Sequence, residues 1–147
     1  MTHVRFRELS SSIVSYAAQL VYTGKTTESY RLLSAADRLF RSLADSGFGE
    51  PAPLADELAL AASFLEIIRI LTGLEIELFV DLDDEARSAS FVGCGSLVDA
   101  MDQVVAARAP ATGQIRIVLG QDGSRKGRGL TLVAGDTRLP IPAGGDP

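Results

Sequence analysis

Side chains able to do chemistry are few in this chain. His3 is the only imidazole and Cys94 the only thiol. A neutral imidazole is a good nucleophile near pH 7. A thiol needs a basic partner to react, and His3 lies far from Cys94 in the sequence, so Cys94 reads as a small, semi-buried apolar residue. One cysteine also excludes an internal disulfide and a cysteine-based zinc site. Asp99 and Asp102 offer oxygen to a hard cation, against the plainer roles of helix capping and solvent contact. Arg125, Lys126 and Arg128 are the only basic concentration, suited to an anion or an acidic partner, or simply to a solvated hairpin tip. No acid–base pair is clustered and no glycine motif could cradle a phosphate, which argues against a metabolic enzyme. Gly47-Phe48-Gly49 follows a helix and is too short for a nucleotide fingerprint.

The elements that must position these groups follow from periodicity. Phe6, Leu9, Ile13, Tyr16 and Leu20 recur at spacings of three and four, a helical stripe running to about Val21 with Gly24 as its C-cap. A second helix from about Thr27 carries Leu33, Ala36, Phe40 and Leu43 and stops at Gly47 and Gly49. Joined by a short turn, the two form an antiparallel hairpin with too little core to stand alone. Two hairpins packed as a four-helix bundle would bury both stripes, so a homodimer is expected. Gly47 to Pro53 reads as a linker. Leu54, Leu58, Ala61, Leu65 and Ile68 then mark a third helix, closed by Gly73. Leu74, Ile76, Leu78 and Val80 alternate with Glu75, Glu77, Phe79 and Asp81 as a half-buried strand. The acidic stretch from Asp81 to Arg87 reads as a solvated loop. Ser96-Leu97-Val98-Asp99 has the form of a capping box opening a fourth helix with Leu97, Met101 and Val104 inward, and Pro110 and Gly113 end that region. Strands through Ile115, Ile117 and Leu119 and through Leu130, Leu132 and Ala134 flank a hairpin loop at 122–129. The domains expected are 1–48, a helical hairpin, and 53–141, an α/β unit, with 142–147 a flexible tail.

The totals narrow the partners. The net charge of -5 leaves no general basic face for nucleic acid. No apolar run approaches the roughly 20 residues that span a bilayer, and the N-terminus has no apolar signal stretch. The expectation is a cytoplasmic protein without membrane or nucleic-acid partners.

This order, and several residues in it, resemble the core of bacterial sensor histidine kinases. Leu54-Ala55-Asp56-Glu57-Leu58, then Phe64-Leu65-Glu66-Ile67 and Gly73, are similar to a run that LytS-like kinases carry before their first sandwich strand. Gly113 to Ile117, with Asp122-Gly123 after it, resembles the next strand and turn. The resemblance implies an α+β chain: a dimerising helical hairpin followed by a truncated Bergerat (GHKL)-like ATP-binding α/β sandwich.

Departures from that family shape the functional expectation. A working sandwich needs an asparagine on its central helix for Mg²⁺ and phosphates, but Asp99, Ala100 and Met101 stand there and the chain has no asparagine. The Asp-x-Gly-x-Gly turn that reads adenine is replaced by Ala134-Gly135-Asp136-Thr137-Arg138, and the second glycine loop and lid would lie beyond Pro147. Phosphoryl transfer from ATP rests on positioning and charge compensation that these groups supply. The pattern resembles histidine phosphotransferases built like kinases, which bind no ATP and pass phosphate between receiver domains. His3, Phe6 and Leu9 are similar to the family's phosphorylation box, although Arg7 replaces its asparagine. The other register, counted back from Asp37 and Leu39, places Glu8 at the acceptor position, where it could imitate charge but not carry phosphate. A third possibility leaves His3 a frayed terminal residue. The expectation is a two-component signalling protein, a pseudo-histidine kinase or phosphotransferase-like homodimer. It would dock a response-regulator receiver domain through Arg5, Arg7, Glu8, Ser11 and Ser12. The alternatives are an active phosphotransferase using His3 and a plain dimerisation module. No catalytic residue is assigned, and no cofactor or metal is called for.

Overall fold

A computed structural model describes residues 3–47, 49–108, 114–121 and 129–142, without the side chains of residues 3–6, 46, 89 and 108. The 110–113 helix end, the 122–128 loop with Arg125, Lys126 and Arg128, Phe48 and the tail from 143 lie outside the described residues.

Helices α1 (His3–Tyr22) and α2 (Thr26–Ser46) open the chain. Between them Gly24 takes φ +83°, its N–H donates to the Val21 carbonyl, and the Lys25 N–H reaches back to the Leu20 carbonyl. That pair of bonds is the Schellman stop, and only a residue comfortable at positive φ closes it well. Ser29 Oγ donates to the Ala17 carbonyl at 3.0 Å, tying the two helices and fixing their level. The buried stripe of α2 is Leu32, Ala35, Ala36, Leu39 and Leu43. This corrects the expected stripe at one end: Leu33 is 47% exposed, because the buried stripe is centred on Leu32 and Leu39, one residue away.

β1 (Pro51–Pro53) follows and pairs antiparallel with β3 (Phe91–Gly93). The expected linker therefore ends in a strand, which local composition hides because two of its three residues are prolines. α3 (Leu54–Thr72) is apolar almost all round, burying Leu60, Ala61, Phe64, Leu65 and Ile67 among others. The reason is its position: it packs against α2 on one side and against α5 (Ser96–Arg108) on the other. Its end is set by Gly73 at φ +71°, whose N–H donates to the Arg69 carbonyl.

β2 (Glu75–Asp81), β4 (Gln114–Gln121), β5 (Leu130–Ala134) and β6 (Thr137–Ile141) form one mixed sheet in that order, β2 and β4 parallel and the rest antiparallel. Ile76, Ile115, Ile117, Leu119, Leu130 and Leu132 are buried, and odd-numbered neighbours on β2 face outward. The Ala134–Arg138 segment, which stands where the resemblance puts an adenine-reading turn, is a tight turn at Gly135-Asp136 leading into β6. The acidic stretch expected as a loop contains α4 (Asp84–Ala89), opened by Asp83, whose Oδ1 accepts from the Ala86 N–H at 2.7 Å. The chain is thus α+β, with N-terminal helices and a mixed sheet, and residues from both halves join one buried core.

Two arginines guard the free edge of β2. Arg69 Nε donates to the Ile76 carbonyl at 2.8 Å and its Nη2 reaches the same oxygen, while Arg87 Nη2 donates to the Val80 carbonyl at 3.3 Å. Both carbonyls would otherwise invite another strand.

Candidate functional site

The fourteen residues Leu9–Tyr22 of α1 carry no charge, although most of that helix surface is open. Ile13, Ala17 and Leu20 face the core. Helical spacing then divides the remainder into two flanks. One flank holds Glu8, Ser12, Ser15 and Gln19 beside partly buried Leu9 and Tyr16. With Ile68, Leu71 and Thr72 of α3 and Asp102 of α5 it lines a groove of about 650 Å³. The other flank is Arg7, Ser11, Val14, Ala18 and Val21, all exposed, with Val14 at 65% and Val21 at 55%. On α2, Leu33 is 47% and Tyr30 74% exposed.

The structure therefore splits the expected docking residues. Glu8 and Ser12 join Asp102 in the groove, whereas Arg7 and Ser11 lie on the outer flank. His3 and Arg5 are in the first turns of α1, with their side chains outside the described residues. Asp99 sits in the first turn of α5. Among the described residues no three His, Cys, Asp or Glu side chains come together as a metal site.

A second cavity, about 720 Å³, lies between α2 and α3 and touches Arg38, Arg41, Asp45, Asp56, Glu57 and Cys94. At its rim Arg31 and Arg38 both reach Glu66, at 3.2 and 3.5 Å, and Arg41 pairs with Asp37 at 3.0 Å. These pairs are mostly exposed and contribute little to stability.

Glu57 is the residue that sequence reading missed as a working group. It is fully buried, and its Oε1 accepts the Gly95 N–H at 3.0 Å. The Asp99 N–H donates to the Gly95 carbonyl, so Gly95 is the true N-cap of α5 and Ser96 its first helical residue. The expected capping box fails for that reason: Ser96 Oγ has no partner, and the cap comes from Glu57, 38 residues earlier. Burial pushes the Glu57 carboxyl up, helped slightly by Asp56. The Gly95 and Leu97 N–H groups and the Cys94 thiol pull the other way. The second Glu57 oxygen, Oε2, has no hydrogen-bond partner. Cys94 is itself buried, as expected. The one signal for Glu57 in the sequence is an acid in the first turn of α3, which reads equally well as a dipole contact.

No family model, curated protein or solved structure matches the chain. Among the described residues no helix is long and apolar enough to cross a membrane.

Proposed function

We propose that this chain is a docking protein of two-component signalling, a histidine phosphotransferase-like or pseudo-histidine-kinase homodimer that holds a receiver domain against α1. The observation that carries the reading is the two-sided character of α1: a polar side, Glu8, Ser12, Ser15 and Gln19, beside a groove, and opposite it a flank that is exposed and uncharged from Ser11 to Val21. A second copy would cover Val14, Val21, Leu33 and Tyr30, completing a four-helix bundle. A receiver would use Glu8 and Ser12 at the groove, with Arg7 and Ser11 as a charged and polar rim. The element order, with two helices ahead of a mixed sheet and crossing helices, supports comparison with a GHKL-type sandwich. The missing asparagine and altered glycine turn support a sandwich that does not bind ATP.

The test mixes the purified chain with a pre-phosphorylated receiver, with labelled ATP as control, and follows label by gel. Co-elution of the receiver without label on the chain supports a partner that acts by binding. Label taken from the receiver and lost in His3→Ala makes it a working phosphotransferase. Absence of both binding and label sinks the signalling reading.

A further inference from the structure

Glu57 is the only charged side chain buried among the described residues, at 0% exposure. Its two oxygens are not equivalent: Oε1 accepts the Gly95 N–H at 3.0 Å, and Oε2 has no partner. A buried anion with an unpaired oxygen is costly, and a neutral acid in the same place is much less so. The side chain also lies beside a way out. The cavity of about 720 Å³ between α2 and α3 is walled by both Glu57 and Cys94, and its rim arginines, Arg38 and Arg41, are exposed, so water reaches it. The charges facing it are Asp37, Arg38, Arg41 and Asp45 from α2 and Asp56 and Glu66 from α3. α5 adds Asp99 in its first turn, β1 and β3 carry no titratable group, and the described charged residues of α1, α4 and β2 are exposed. Four carboxylates against two guanidiniums leave this cavity acidic, which disfavours a further anion beside it.

We propose that Glu57 is a proton-gated cap: neutral, it holds the N-terminus of α5, and ionised, it turns into the α2–α3 cavity and lets the Cys94–Ser96 corner open. The corner is tied on two sides. Towards the start of β1, the Cys94 N–H donates to the Glu50 carbonyl at 2.7 Å and the Cys94 carbonyl accepts the Gly49 N–H at 3.0 Å. Towards α3, the tie is the bond from the Gly95 N–H to Glu57. Of these ties it alone answers to a proton. When it breaks, the Gly95 N–H loses its acceptor and α5 loses its side-chain cap. The carboxylate gains water in return. The Gly95 and Leu97 N–H groups favour the ion in place, and burial outweighs them. Cys94, 3% exposed while the cap is closed, then becomes accessible. The device needs no receiver domain and stands apart from the signalling reading.

The experiment follows the full, isotopically labelled chain by NMR from about pH 4 to pH 8 and, in parallel, the reaction of Cys94 with iodoacetamide. Each thiol rate is divided by that of the urea-denatured chain at the same pH, which removes the change in thiolate fraction. The Glu57 carboxyl carbon and the Gly95 amide should titrate with one shared midpoint above 4.5. Protection of Cys94 should fall at least about tenfold through that midpoint, while the Leu39 amide in the buried stripe of α2 keeps its protection. In Glu57→Gln, Cys94 should stay protected throughout. Asp56→Asn removes a negative neighbour and should lower the midpoint. Separate midpoints for Glu57 and Gly95, or Cys94 protection indifferent to pH, overturns the proposal. So does the same loss of protection in Glu57→Gln, a midpoint that Asp56→Asn fails to lower, or Leu39 losing protection together with Cys94.

Discussion

At the scale of single residues, Glu57 does more for this structure than its place in the sequence suggests. Its carboxyl sits above the ordinary 4.5, chiefly through burial. The folded state therefore holds that proton more tightly than the unfolded chain does. The stability this gives is fully present below about pH 4.5 and is lost as pH rises through the raised folded value. Urea denaturation across this range should show wild type losing stability relative to Glu57→Gln, which keeps an amide oxygen for the Gly95 N–H. A wild type that gains on the variant as pH rises would contradict the assignment. Glu57→Ala removes the acceptor and should cost about 1–3 kcal/mol below about pH 4.5, and the cost should shrink as pH rises. None of this was legible from the sequence, because the cap and the capped helix are 38 residues apart in the chain. Gly24 and Gly73 were legible, since each ends an apolar period in a place where positive φ is needed. Gly73→Ala should lower stability by about 1 kcal/mol, read from the denaturation midpoint.

At the scale of elements, long helices were readable and short pieces were not. The first helix shows its core stripe in Leu9, Ile13, Tyr16 and Leu20 because its surroundings differ on each side. α3 gives a weaker pattern, being packed from both sides, and so Glu57 among its buried residues went unnoticed. β1, β3 and α4 are three to six residues long, below the length at which periodicity speaks. The β2 edge shows how tertiary contacts decide what a strand can do. Replacing Arg69 and Arg87 together by alanine uncovers the Ile76 and Val80 carbonyls. Light scattering over time should then show growing self-association, while each single variant loses only about 1 kcal/mol of stability. A double variant as stable against association as wild type would mean that the edge is protected by something other than these two side chains.

At the scale of the whole molecule, the sequence indicated an α+β chain of a helical pair, then helix, strand, helix and two strands, and the structure keeps that order with β1, α4, β3 and β6 added to it. It did not reveal that the helical pair leans on α3 and shares the core of the sheet-bearing half. The helical pair thus finds its missing core within one chain, and the surface left for a second copy is the exposed flank at Val14, Val21 and Leu33. Val14→Glu with Leu33→Glu should halve the molar mass seen by light scattering without lowering the helical signal. The docking residues were chosen from their position along α1, and the structure divides them between two flanks because a helix turns 100° per residue. The most direct test of the account is sedimentation of the chain with a receiver domain, comparing wild type with Ser12→Arg. The account predicts a complex at micromolar concentrations that Ser12→Arg abolishes while leaving the chain folded. Separate sedimentation of wild type and receiver, or a complex indifferent to Ser12→Arg, would contradict it.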